Sequence, residues 1–129
     1  MKKIFSALFA VSLLLSGLVL AQQKTSNLIA VAASDKTASA AVSGQAGRSP
    51  FFLLFDRQGH LVEAVSNPYK DSASAGVPTL EFLAGKGVTV VVAEGFGPRI
   101  VDEMKNKGMR PVEFKGNAKD AVAQALGSK

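Results

Sequence analysis

Gly95-Phe96-Gly97-Pro98-Arg99 is the stretch whose residue types most suggest ligand chemistry, because a β-branched run ends just before it and a helix begins within it. Val88, Val90, Val91, Val92 and Ala93 make a continuous apolar run, the pattern of a central strand covered on both faces. Pro98 suits a first helical position, where its missing N–H costs nothing. Ile100, Val101 and Met104 then share one helical face, and Gly108 ends the helix. A helix start leaves backbone N–H groups without partners, so the corner from Gly97 to Arg99 can hold an anion. Gly97 is expected to need its backbone freedom to turn the chain so closely. The bland alternative is a stable turn that binds nothing. Gly95-Phe96-Gly97 also begins like a dinucleotide fingerprint, but Ile100 stands where the third glycine belongs, and the chain beyond has room for only one more strand and helix. NAD and FAD are therefore excluded.

Other chemistry finds little support. The sequence has no cysteine, which removes disulfides, thiolate ligands, cysteine nucleophiles and lipid attachment at one stroke. Its one histidine, His60, falls in a turn and has no serine to activate. Metal-assisted hydrolysis needs clustered carboxylates, and Asp35 and Glu94 alone are too few. The expectation is a protein without catalytic activity. A net charge of +5 includes Lys2 and Lys3, which the next reading removes, and no basic run interleaved with aromatics follows, so nucleic acid is not an expected partner.

Residues 1–21 read as a cleavable signal peptide. Lys2 and Lys3 open it, an apolar stretch runs from Ile4 to Leu20, and Val19-Leu20-Ala21 offers a cleavage site before Gln22. The run is short of the ~20 residues a spanning helix needs, so no stable membrane anchor is expected after cleavage. Removing 21 of the 129 residues leaves 108, enough for one domain over 22–129 and too few for two. The expected location is periplasmic or secreted.

Within that domain the elements run in order as a strand at 28–33, a strand at 50–56, a turn at 56–59, a strand at 60–66, a helix opened by Pro78, the strand at 88–93, the helix from Pro98, a strand at 110–114 and a helix at 118–126 capped by Asn117. Residues 34–49 are small, polar and glycine-containing, with Val42 alone expected in the core; a loop that long in a small domain is more often a binding loop than a spacer. One hairpin and two crossovers imply a mixed sheet covered by helices.

IAVAASDK at the first strand, VSGQAGRSPFFLLFD through the long loop and second strand, the Asn67-Pro68 loop and VVVAEGFGP together resemble the dinitrogenase iron-molybdenum cofactor biosynthesis family, the NifX-like and NafY-like cofactor carriers. The likeness covers nearly all of the mature chain. It implies a ribonuclease H-like α/β fold with a five-stranded mixed sheet, order 3-2-1-4-5, the second strand antiparallel to the rest, and about three helices. It also implies a non-catalytic domain that carries an anionic iron-sulfur or iron-molybdenum cluster.

With that topology, loops 34–49, 67–76 and 94–98 leave the sheet at one edge, where ligands of open α/β sheets bind, and the turn at Gly59-His60 leaves at the other. The candidate site residues on these loops are Ser43, Gln45, Gly47, Arg48, Asn67, Gly95, Gly97 and Arg99, with Lys36 and Lys70 on flanking loops. The family pattern usually has histidine and phenylalanine before Gly47-Arg48; here Gln45 and Ala46 stand there. An amide is a poor iron or molybdenum ligand beside imidazole, which argues against direct ligation and for an anion held by charge and backbone N–H groups. The competing reading is a periplasmic module that binds a protein partner or a small anion and no metal cluster, since a long loop serves a partner surface equally well.

Overall fold

In the computed structural model, which describes residues 27–127, the run Leu28–Ala33 forms β1 at the centre of the sheet. Every residue of β1 is buried because both faces are covered: Leu28, Ala30 and Ala32 join one core layer, and Ile29, Val31 and Ala33 join the other. The remaining elements are β2 (Phe51–Phe55), β3 (Leu61–Ser66), α1 (Gly76–Gly85), β4 (Val88–Ala93), α2 (Pro98–Asn106), β5 (Arg110–Glu113) and α3 (Ala118–Gly127). The sheet order is β3-β2-β1-β4-β5, with β2 antiparallel to both neighbours and β4 parallel to β1 and β5. This is the topology expected from the sequence. The proposed signal peptide, residues 1–21, lies outside the described residues.

Three layers result. α1 and α2 cover one face of the sheet through Leu80, Leu83 and Met104, and α3 covers the other through Ala118, Ala121, Val122 and Ala125. Met104 and Met109 are both core residues rather than exposed thioethers. Asn117 caps α3 as its sequence suggests, its side-chain oxygen accepting the Asp120 N–H at 2.9 Å.

The hairpin turn between β2 and β3 is self-contained. Gly59 takes φ +86°, and one Asp56 oxygen accepts the N–H groups of Gln58 and His60 at 3.0 and 2.9 Å. Those bonds, that from His60 foremost, hold the Asp56 carboxyl below its ordinary value, with the nearby imidazole adding to the effect and partial burial opposing it. The imidazole is 3.6 Å from the same carboxylate and its side chain is 80% exposed.

Two expectations need correction. α1 starts at Gly76, two residues before Pro78, because the first turn of a helix has no intrahelical use for its N–H groups and tolerates proline throughout. The segment 34–49 is not an unstructured loop: Val42 bridges to Ala33, Ala41 to Asn117 and Gln45 to Gly95, while Ala40 is buried with Val42 in one core layer and Ala46 in the other. Its alanines fill space that larger side chains would overfill, so the segment lies against the core although its composition is that of a loop.

Candidate binding site

The carboxyl ends of β1, β3 and β4 open onto a cavity of about 580 Å³, lined by residues 44–48, 73–77 and 95–97 with Arg99 and Ile100. The three loops expected at one edge do meet there. His60 is at the hairpin that leaves the sheet at the opposite edge.

Two helices begin at this cavity. In α2 the first intrahelical bond runs from Val101 N–H to Gly97 C=O at 3.1 Å, which leaves the N–H groups of Arg99 and Ile100 outside the helical ladder. In α1 the corresponding bond runs from Thr79 N–H to Ala75 C=O at 3.0 Å, leaving those of Gly76 and Val77. Neither helix has a side-chain cap, and neither has an acidic residue in its first turn. Each helix end carries roughly half a positive charge, so the two fields add in the space between them. Placing the start of α1 at Pro78 hid this second helix end from the sequence reading.

What brings the two ends together is a close approach of backbone. A Cβ on Gly47 would lie 3.0 Å from the Gly76 Cα, and one on Gly76 would lie 2.7 Å from Ile100 Cγ1. Gly76→Ala is therefore expected to push α1 and α2 apart and cost about 1 to 3 kcal/mol, the usual range for overpacking. Thermal unfolding measures it, and a variant that melts with the parent would contradict the contact.

Gly97 behaves differently from its expectation. Its φ of −70° and ψ of 155° are extended backbone open to any residue, and a Cβ there would meet nothing within 4 Å. Pro98, which favours an extended predecessor, sets this turn without any need for glycine.

The remaining site residues fall into two groups. Gln45, Gly47, Arg48, Gly95, Gly97 and Arg99 line the cavity. The Arg99 side chain is exposed and makes no hydrogen bond or ion pair among the described residues. Arg48 is partly engaged: its guanidinium donates to the carbonyls of Lys70, Ser72 and Ala73 at 3.1, 3.0 and 3.2 Å, so it clamps the 67–76 loop and keeps two of its five N–H groups in reserve.

Ser43 and Asn67 lie behind the lining. Ser43 bonds through its backbone to Ala32 and Glu94 and accepts the Ser49 hydroxyl at 3.0 Å. Asn67, 3% exposed, donates to Gly47 C=O at 3.0 Å and accepts from Tyr69 N–H at 3.0 Å and the Thr79 hydroxyl at 3.2 Å. The Thr79 hydroxyl, which the sequence did not single out, has the same Gly47 carbonyl within reach at 3.0 Å, so its one proton is shared between that carbonyl and Asn67. Asn67 and Thr79 thus fix the loop that carries Gln45 and Arg48 onto the start of α1. Lys36 rests over the Phe51 ring, 5.4 Å from its centre.

Residues 27–128 match the family described as dinitrogenase iron-molybdenum cofactor. The chain belongs to that family. Among solved structures, the apo form of the orange protein from Desulfovibrio gigas shares the fold at 23% identity, with a TM-score of 0.73 over 81% of this chain and 91% of that one. A Thermotoga protein described as a NifB protein is 25% identical, with a TM-score of 0.65 over 78% of this chain and 87% of its own. No curated protein matches the chain.

Membership supports a cofactor-binding carrier domain whose cargo is the iron-molybdenum cofactor or a related cluster. The lining tests how such a cargo would be held. It contains neither histidine nor cysteine, and among the described residues no three of His, Cys, Asp and Glu gather to hold a metal ion. Backbone N–H groups, a free guanidinium and the Gln45 amide suit the anionic surface of a cluster rather than its metal atoms.

Proposed function

We propose that this is a non-catalytic, exported carrier that holds an anionic iron-sulfur or iron-molybdenum cluster between the starts of α1 and α2, without a side-chain ligand to metal. The observation that carries the reading is the convergence of two uncapped helix ends on one cavity beside Arg99. Backbone N–H groups fixed by the fold donate to the anion without reorganising, and Arg99 adds a mobile charge at the mouth. Cargo held in this way leaves by breaking hydrogen bonds alone, which suits a protein whose task is transfer.

Anaerobic titration of isolated clusters tests the site. Arg99→Ala is expected to weaken binding by about 1.5 to 3 kcal/mol, the range for a hydrogen bond to a charged group, while His60→Ala binds as the parent does. Equal loss in both variants would contradict the placement. Export is tested separately: mass spectrometry of the periplasmic fraction is expected to find an amino terminus at or within a few residues of Gln22, and an intact chain in the cytoplasm would overturn it.

A further inference from the structure

Loop 67–76 is anchored at two points and slack between them. Asn67 is buried and bonded to three partners, and Ala75 is 3% exposed, but residues 68–74 are exposed apart from the half-buried Ser72. Among the described residues, the only hydrogen bonds that join residues 70–74 to the rest of the fold come from the Arg48 guanidinium: Nη1 donates to the Lys70 and Ser72 carbonyls and Nη2 to that of Ala73. One internal turn, from Ser72 N–H to Tyr69 C=O at 3.0 Å, completes the segment. A strap held in this way opens locally, without the core, whenever its one tie breaks.

Arg48 has a second side. The N–H groups it keeps in reserve are that of Nε and one of Nη2, which lie along one edge of the planar guanidinium and match a pair of anion atoms. Arg48 lines the cavity, and so do Ala73, Ser74 and Ala75 at the end of the strap. The strap supplies only neutral carbonyls to a full positive charge. Bonds from the same guanidinium to an anion are roughly twice as strong as neutral ones.

We propose that Arg48 is a positioning residue that couples cargo to the strap. An anion on its free edge holds the guanidinium in place, and the opposite edge then keeps residues 70–74 closed against the cavity. This inference rests on the carrier reading above. Coupling of this kind is reciprocal, so an acceptor that draws the strap aside loosens the cargo by the same factor. Arg99 cannot serve in the same way, because its side chain bonds to no part of the strap. Lysine cannot either: its ammonium is a point charge without a second edge.

Limited trypsin digestion reads the strap directly, since the peptide bond after Lys70 contains a carbonyl that Arg48 holds. Without cargo, Arg48→Lys is expected to be cut there about tenfold faster than the parent, because cleavage of a folded protein follows the population of its open form. Isolated iron-molybdenum cofactor, added anaerobically, should slow this cleavage about tenfold in the parent and leave it unchanged in Arg48→Lys. Cleavage after Arg57, in the hairpin between β2 and β3, should proceed alike in every sample. Equal cleavage of parent and variant without cargo would overturn the tie, as would faster cleavage of the variant at both bonds. Equal protection of the two by the cofactor would overturn the coupling. Cofactor that binds the parent without protecting the Lys70 bond would overturn the inference and leave the carrier reading standing, whereas a parent that binds no cofactor would overturn both.

Discussion

Asn67→Ala is expected to destabilise the domain by about 2 to 4 kcal/mol, more than any other single change near the site. The side chain is buried and serves three partners: Gly47 C=O, Tyr69 N–H and the Thr79 hydroxyl. Its removal takes the acceptor from the part-buried Tyr69 N–H and the amide donor from the buried Gly47 C=O, which keeps only the single Thr79 proton, and a group left short of partners costs about 1 to 3 kcal/mol. For a domain of this size the melting temperature should fall by roughly 10 to 20 °C. Ser43→Ala is the comparison. The Ser49 hydroxyl that donates to Ser43 also lies within hydrogen-bond reach of the Ala33 and Phe51 carbonyls, so that change should cost under about 1 kcal/mol. Equal melting temperatures for Asn67→Ala and Ser43→Ala would contradict the role given to Asn67.

The second large effect is on binding. Gly97→Asp is expected to leave stability unchanged or slightly raised and to abolish cluster binding. Gly97 is the residue before the first turn of α2, has extended backbone and has open space where a side chain would go. Aspartate at that position can accept the Arg99 or Ile100 N–H, which stabilises the helix by a few tenths of a kcal/mol relative to glycine. The same contact removes an N–H from the site and places a carboxylate where the anion belongs. A single substitution therefore separates folding from function. Gly97→Ala, which adds neither a cap nor a charge, should bind as the parent does. If Gly97→Asp binds clusters undiminished, the start of α2 is not part of the site.

How much of this was legible in the sequence depends on the distance over which the deciding contact acts. β1 and β4 were readable from continuous apolar runs, since both faces of each strand are covered by the layers that the hairpin and crossovers imply. The convergence of loops 34–49, 67–76 and 94–98 followed from strand order and direction, which the family likeness supplied.

What the sequence hid were contacts between separate segments. Gly97 looked constrained because it sits beside a helix start, yet the constrained glycines are Gly47 and Gly76, which touch each other across the fold. No local pattern records such a pair. Arg48 looked like a free charge on a loop, and its engagement depends on three carbonyls more than twenty residues away. The early start of α1 was obscured by Gly76 and Val77, which lack any helical signature and are ordered by packing against Gly47 and by the Thr79 bond to Ala75.

The central claim is that backbone N–H groups at two helix starts hold the anion. Amide nuclear magnetic resonance of the labelled protein during anaerobic addition of isolated iron-molybdenum cofactor tests it most directly. The account predicts that the signals of Gly76, Val77, Arg99 and Ile100 shift or broaden first and together, while that of His60 stays in place. Perturbation centred on His60, or none at the two helix starts while the cofactor binds, would contradict it.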